Sequence, residues 1–392
     1  EWQEGRLSCL AIDGNGRVFG AAGFEQVTLF SYNGEGVFTD YGFISDDRSK
    51  EVPYHIQAIA IDKEGSIYLG DLGNPSVYVC KLRDKKVVSK SSPSEKYEFE
   101  TRHVWIGSIC SICELLLGSD GRVYIGGTCE AGKGGLFAYY DPREDRIVDL
   151  HLERYFPLDE KIHRALVEGK DGKIYGGTGL NKDLAGVNLD YPGGHLFSYD
   201  IKTGEIEDLG IPVKGDLIFS LEIDHTKEYI YGGTYPSHHF FYYDIKKKKI
   251  VDKGCICHYM FSYKYLIDKE GNVYGTCDKG YFFKYNPRED KFRFIKAKLP
   301  DDCFSLDCVV SHPEFGMYGS THGHNGCNYV FRLDGEKEEI HYIGRPTRGR
   351  TTALAFDKYG RLYMASGSTK AYLLRYDPCL LYTSPNPRDL ST

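Results

Sequence analysis

The stretch ALVEGKDGKIYGGT, residues 165–178, decides the fold of this chain. It contains an apolar segment, an Asp-Gly turn and a second apolar segment that ends in Tyr-Gly-Gly-Thr. An Asp-Gly pair readily adopts the positive φ angles of a tight hairpin, so the pattern predicts two antiparallel strands. Related stretches are IAIDKEGSIYLG at 59–70, LLLGSDGRVYIGGT at 115–128 and SLEIDHTKEYIYGGT at 220–234.

The hairpin recurs along the whole chain. Each copy is followed by an aromatic strand, such as HLFSYD at 195–200, and by a fourth strand with a closing Gly. Successive turns are roughly 43 to 56 residues apart, which is close to the repeat length of propeller blades. We therefore predict an all-β propeller of about eight four-stranded blades, with a seven-bladed ring and one stray unit as the alternative. The eight turns lie at or near Gly16, Gly65, Gly121, Gly172, His225, Gly271, Glu314 and Gly360.

One end of the chain is set apart from this repeat. We expect residues 1–378 to form a single propeller domain. Residues 379–392 begin with CLLYTSPNPRD, which closely resembles a translated sequencing-library adapter and is predicted to be non-native. Because this tail interrupts the last repeat, we expect the eighth unit to lose its outer strand.

Composition narrows the possible partners. Lys and Arg number 49 against 56 Asp and Glu, so the chain has no general basic field for a nucleic acid. No apolar run is long enough to predict a membrane helix, and no glycine-rich phosphate loop predicts an organic cofactor. The 12 Cys are scattered, and most are expected to be buried reduced thiols. We expect a monomer.

Chemistry is expected on one face of the ring, where the loops between blades and the loops from second to third strand emerge. Most of the 13 His lie on or beside these loops, together with several Arg and Tyr. Guanidinium groups bind carboxylate or sulfate in a bidentate manner, so this collection predicts an anionic ligand. The predicted substrate-binding residues are Arg348, Arg350, His238, His239, His195 and His103.

Two loops also carry residue types that bind metals. His322 and His324 form a His-x-His pair, and Cys257 and His258 lie in an inter-blade loop that could complete a site. Imidazole and thiolate suit Zn, and Ca is the other divalent cation considered. No strict zinc-finger spacing occurs, so the alternative is that these are isolated polar loop residues.

Three segments resemble a known group of enzymes. HRALVEGKDGKIYGGT at 163–178, YPGGHLFSYD at 191–200 and GGTYPSHHFFYYD at 232–244 are similar to sequences of the propeller polysaccharide lyases, the group of ulvan lyases and rhamnose-glucuronate lyases. The resemblance implies β-elimination at a uronic acid in an anionic polysaccharide or oligosaccharide. It implies His and Tyr for proton transfer and Arg or His to neutralise the carboxylate.

The loop residues can be assigned to these implied roles. His163 is the predicted base and Tyr191 the predicted acid, with Tyr235 as the reserve for either. Arg164 is predicted to neutralise the carboxylate, a role that Arg348 or Arg350 could also fill. A lyase acting on polymers is expected outside the cytoplasm or in the periplasm. The alternative is a non-catalytic platform that binds a glycan or a protein partner on the same loops.

Overall fold

A computed structural model describes residues 2–3, 7–45, 50–74, 76–83, 98–105, 111–129, 135–180, 190–258, 264–300, 302–323, 328–367 and 370–378. These residues form eight antiparallel four-stranded sheets. Within each of the first seven sheets the strands follow chain order, as expected for propeller blades. The prediction of eight blades is confirmed, and the seven-bladed alternative is wrong.

The strands are as follows. The chain begins with β1 (Trp2–Gln3). Blade 1 comprises β2 (Leu7–Ile12), β3 (Val18–Ala22), β4 (Thr28–Tyr32) and β5 (Phe38–Phe43), and blade 2 comprises β6 (Ile56–Ile61), β7 (Ile67–Asp71), β8 (Ser76–Arg83) and β9 (Glu98–Trp105). Blade 3 comprises β10 (Ser111–Leu117), β11 (Val123–Thr128), β12 (Leu136–Asp141) and β13 (Arg146–Asp149), and blade 4 comprises β14 (Leu166–Glu168), β15 (Lys173–Gly177), β16 (Leu196–Asp200) and β17 (Ile206–Gly210).

The second half of the ring repeats this pattern. Blade 5 comprises β18 (Leu217–Ile223), β19 (Tyr229–Tyr235), β20 (His239–Asp244) and β21 (Lys249–Cys255), and blade 6 comprises β22 (Leu266–Ile267), β23 (Val273–Thr276), β24 (Tyr281–Asn286) and β25 (Lys291–Lys298). Blade 7 comprises β26 (Cys303–His312), β27 (Gly316–Gly323), β28 (Val330–Asp334) and β29 (Glu339–Gly344). Blade 8 contains β30 (Arg350–Phe356), β31 (Leu362–Gly367) and β32 (Lys370–Tyr376).

The eighth sheet is completed by the other end of the chain. β1 pairs antiparallel with β32, with Trp2 opposite Ala371 and Gln3 opposite Lys370. The expectation that the eighth unit loses its outer strand is therefore wrong, because the sequence repeat alone does not indicate that an N-terminal segment fills that place. The ring is closed by this pairing and by the contact of β2 with β30.

The recurring motif has a local physical cause. The turn Asp of several hairpins accepts a hydrogen bond from the Tyr of the following strand, as Tyr175 does to Asp171 at 2.8 Å and Tyr68 to Asp62 at 2.6 Å. The first Gly of the Tyr-Gly-Gly-Thr motif lies under the aromatic ring of the third strand. A Cβ at Gly176 would be 2.2 Å from the ring of Phe197, so no larger residue fits there.

The core lies between neighbouring blades and is rich in aromatic residues. Phe137 of blade 3 and Phe197 of blade 4 are 5.1 Å apart, and Phe240 of blade 5 and Phe283 of blade 6 are 5.5 Å apart. Such edge-to-face and tilted pairs hold each sheet against the next. The first strands of neighbouring blades contact one another around most of the ring and so line the axis.

Two further findings concern the described residues. Their helices are two short 3₁₀ turns, Leu152–Arg154 and Asp278–Gly280, and neither could cross a membrane. Cys9, Cys80, Cys113, Cys257 and Cys277 are buried thiols outside any disulfide, as expected from the sequence. Cys129 and Cys303, by contrast, are disulfide-bonded.

Candidate functional site

Charged residues of alternating sign surround the axis in six successive blades. Each lies on an inner strand or within a few residues before it, and two of the neighbouring pairs bind directly. The Nζ atom of Lys264 is 2.9 Å from a carboxylate oxygen of Glu222. The guanidinium of Arg350 donates to both oxygens of Asp307. In order from blade 3 to blade 8, the residues are Glu114, Arg164, Glu222, Lys264, Asp307 and Arg350, which we call the axial charge ring.

Arg164 and Glu114 differ from the other members of the axial charge ring. Within the described ranges, neither has a group of opposite charge at salt-bridge distance. The charge of Arg164 nevertheless acts on groups in several blades, including Glu114, Lys264 and Cys308, which indicates a position near the axis. Arg164 also has a φ of +41°, a region that non-glycine residues rarely occupy and that is enriched at functional sites. Its half-buried guanidinium is therefore available for an anionic ligand.

His163 lies beside Arg164 and is held by an aromatic neighbour. Its imidazole packs on Phe219 with ring centroids 4.5 Å apart, and its Nδ1 is 3.4 Å from the Phe219 carbonyl oxygen. Because a carbonyl oxygen can only accept, this contact favours the tautomer with the proton on Nδ1 and the lone pair on Nε2. Burial, together with the positive charges of Arg164 and Lys161, holds the pKa of His163 well below its usual value. The ring is therefore neutral at neutral pH, with the lone pair on Nε2 unprotonated.

Phe219 brings a second predicted residue to the same place. The ring of Tyr235 also lies near Phe219, with centroids 6.3 Å apart, and Tyr235 in turn makes an edge contact with His238 at 5.6 Å. His238 is buried, whereas Tyr235 is half-buried. The structure therefore places His163 and Tyr235 against one phenylalanine, with His238 beside Tyr235.

Tyr191 has a different environment from the one expected for an acid in an open funnel. The side chain is only 2% exposed, and its hydroxyl donates to Asp159 at 2.5 Å. Asp159 also accepts a hydrogen bond from Thr178, the last residue of the Tyr-Gly-Gly-Thr motif. Burial and the Asp159 carboxylate raise the pKa of Tyr191 far above its usual value. This arrangement ties the long loop of blade 4 to the inter-blade loop before it.

His195 and His239 occupy equivalent positions in blades 4 and 5. Each begins the third-strand segment and binds an Asp of the fourth strand: Nδ1 of His195 is 3.1 Å from Asp208, and Nδ1 of His239 is 2.9 Å from Asp252. Both imidazoles therefore face the outer pair of strands within their own blade. They are not brought into contact with His163.

The remaining predicted substrate-binding residues fall into three situations. Arg350 is engaged with Asp307, as described above. Arg348 is exposed, and no described residue forms an ion pair with it. The backbone of His103 pairs with Tyr78 in blade 2, but its side chain lies outside what the structure describes.

The predicted metal ligands are placed on separate blades. His258 is exposed and binds Asp278 through its backbone N–H and its Nδ1 at 2.9 Å. Cys257 is buried in the apolar core. His322 contacts Phe304 edge-on and lies 3.9 Å from Asp307, and His324 lies outside the described residues. In the part of the chain that the structure describes, no three metal-binding side chains form a cluster.

Sequence reasoning missed the acidic members of the axial charge ring and Lys264. It looked for function in the loops, whereas Glu114, Glu222 and Asp307 lie within inner strands. The sequence contains a signal for these residues. A carboxylate inside an otherwise apolar strand, such as Glu114 in SICELLL, is costly to bury unless it has a partner.

The solved structures that are similar to this chain are propellers or complexes. Their sequence identities to this chain are low, so these similarities establish the fold alone. A structure titled "Structure of Dos1 propeller" aligns with a TM-score of 0.64 at 14% identity, covering 92% of this chain and 90% of that one. Sqt1 of Saccharomyces cerevisiae aligns with a TM-score of 0.63 at 9% identity, covering 95% and 96%. Virginiamycin B lyase from Staphylococcus aureus aligns with a TM-score of 0.53 at 10% identity, covering 79% and 91%.

This protein is a β-propeller. No protein-family profile matches its sequence, and no curated protein is significantly similar to it. Its activity must therefore be argued from its own site.

Proposed function

We propose that this propeller is a lyase that cleaves a uronate-containing polysaccharide by β-elimination at the axial site. The observation that carries the proposal is that two adjacent residues have complementary properties. Arg164 has a guanidinium available for an anion, and His163 beside it has a neutral imidazole. Elimination at a uronate requires a bound, charge-compensated carboxylate and an unprotonated base at the same centre.

The roles follow from the charges and contacts. Arg164 binds the uronate carboxylate and stabilises the negative charge that develops when the C5 proton leaves. Nε2 of His163 accepts that proton. The electrons of the C5–H bond form a C4–C5 double bond while the C4–O bond breaks, and the departing oxygen takes a proton from the phenol of Tyr235.

Tyr235 takes the acid role in preference to Tyr191. The hydroxyl of Tyr191 is buried and committed to Asp159, whereas Tyr235 is half-buried and shares Phe219 with His163. Arg164 is likewise preferred to Arg350, whose guanidinium is occupied by Asp307. A propeller of similar fold is named as a lyase, so the architecture is compatible with lyase chemistry.

The test is the ultraviolet absorbance of unsaturated uronate product during incubation with ulvan, rhamnogalacturonan, glucuronate-capped gums and glycosaminoglycans. We expect product from one of these polymers, and a loss of at least about 100-fold in rate for His163→Ala and for Tyr235→Phe. His341→Ala is the matched control, because this exposed histidine lies on the outer strand β29 of blade 7 and should retain activity.

A binding platform is the second candidate, and one observation favours it. Phe24, Tyr54 and Tyr155 are large exposed aromatic residues in loops between strands, and Phe24 and Tyr54 are in edge contact at 6.0 Å. Exposed aromatic rings of this kind bind glycans or proteins without catalysis. Glycan binding without unsaturated product would establish the platform and reject the lyase.

A further inference from the structure

Glu114 is the one carboxylate of the axial charge ring without a bound cation. Lys264, whose charge acts on Glu114, is held by Glu222 at 2.9 Å instead. One oxygen of Glu114 accepts a hydrogen bond from the backbone N–H of Leu166 at 3.0 Å, which places the carboxyl between blades 3 and 4. Leu166 lies two residues after Arg164, and the charge of Arg164 acts on Glu114, so the carboxyl and the guanidinium lie in the same part of the axial charge ring.

The groups that act on Glu114 come from three neighbouring blades. Lys264 and Arg164 favour its charged form, and Glu222 opposes it. An anion that binds Arg164 offsets the positive charge that favours the charged form of Glu114. The anion also adds a negative charge near the Glu114 carboxyl. Either change favours the neutral carboxylic acid.

The carboxyl is also able to change its charge near neutral pH. The pKa of Glu114 is raised to about 7, and burial is the largest cause; Glu222 also raises it, whereas Lys264, the Leu166 N–H and Arg164 lower it without offsetting burial. A small perturbation from a ligand therefore changes the protonation of Glu114 in the range in which the protein would be assayed.

We propose that Glu114 is a proton-linked positioning residue that takes up one proton from solvent when an anion binds at Arg164. This inference rests on the proposed function, since it assumes that a uronate carboxylate binds Arg164. As a neutral acid, Glu114 no longer competes with the ligand for the guanidinium, and it keeps its hydrogen bond with Leu166. Ligand affinity then falls as pH rises above neutrality, because the proton becomes harder to supply.

Calorimetry of the full chain with sodium D-glucuronate tests the proposal. Titration near pH 7 in two buffers of different ionisation enthalpy should reveal uptake of roughly half a proton per bound anion. Between about pH 7 and pH 9 the affinity should fall by up to about tenfold per pH unit. In Glu114→Gln the uptake should vanish and the affinity should become independent of pH over that range, since the amide imitates the neutral acid.

Glu222→Gln provides a second variant should Glu114→Gln fold poorly. Because Glu222 raises the pKa of Glu114, its removal should shift the pH dependence of binding to lower pH without abolishing it.

Binding with no proton uptake in the wild type, or equal uptake in Glu114→Gln, would overturn the role of Glu114 and leave the lyase proposal intact. Absence of glucuronate binding in both wild type and Arg164→Ala would overturn the anion site itself.

Discussion

The imidazole of His163 lies against the ring of Phe219, with centroids 4.5 Å apart and Nδ1 directed to the Phe219 carbonyl oxygen at 3.4 Å. Phe219 belongs to the inner strand of blade 5, whereas His163 precedes that of blade 4. The contact therefore sets both the position and the tautomer of the proposed base from a neighbouring blade.

Removal of the Arg164 charge should raise the pKa of His163. Burial is the largest cause of the depressed pKa, and the guanidinium is the next. We expect Arg164→Gln to move the pKa of His163 upward toward its ordinary value without reaching it, measured by NMR titration of the imidazole ring. Arg348→Gln is the matched control and should leave the pKa unchanged, and an equal shift in both variants would contradict the assigned position of Arg164.

The ion pair of Arg350 and Asp307 should contribute to stability. The Asp307 side chain is 4% exposed, so its carboxylate loses the bidentate contact with Arg350 in Arg350→Ala and remains poorly hydrated. We expect a loss of about 2 kcal/mol in the free energy of unfolding, discounted for the partial exposure of Arg350. Arg348→Ala should change stability by less than about 0.5 kcal/mol in the same chemical denaturation experiment. Equal losses in the two variants would indicate that the pair does not stabilise the fold.

Substitution of Tyr191 should lower stability but not activity, and substitution of Tyr235 should lower activity but not stability. In Tyr191→Phe, Asp159 loses one of the two hydroxyl donors that oppose the rise of its pKa on burial. We expect a loss of about 1–2 kcal/mol in unfolding free energy, with activity at moderate temperature retained. The pKa of Asp159 rises further in this variant, so the loss should be larger at neutral pH than in acid, where the carboxyl is protonated in either protein. Tyr235→Phe should show the reverse, with folding retained and product formation lost.

The glycine under the third-strand ring should be irreplaceable. A Cβ at Gly176 would lie 2.2 Å from the ring of Phe197, so Gly176→Ala should cost about 2–3 kcal/mol and lower the melting temperature. Gly14→Ala is the control, because a Cβ there meets no atom within 4 Å. A melting temperature unchanged in Gly176→Ala would mean that the blade can relax around the methyl group.

The fold was predictable because its cause is local and repeated. The turn Asp, the hairpin Tyr and the Gly beneath the aromatic ring act within one blade, so most copies carry the same pattern. The closing contact was not predictable, since β1 has two residues and no repeat of its own. The register in which β1 pairs with β32 is set only when the ring is complete.

The site was predictable only in part for a related reason. His163 and Arg164 stand out because residue types of this kind are unusual before an inner strand. The partners that decide their chemistry, Phe219 and Glu114, come from other blades, and sequence spacing does not show which inner strands meet across the axis. His195 and His239 appear equally suitable in sequence, but cross-strand Asp residues bind both of them.

The strand pairing that closes the ring has a consequence for how the protein is made. β1 is synthesised before the other strands of the ring, yet its partner β32 begins at residue 370, so β1 acquires its neighbour only after the rest of the ring has been translated. Until then β2 lacks β30, and the hydroxyl of Thr352 lacks the Leu7 carbonyl that it binds in the finished ring. Blades can form one after another during translation, but cooperative closure of the whole ring must wait until β30 and β32 have emerged.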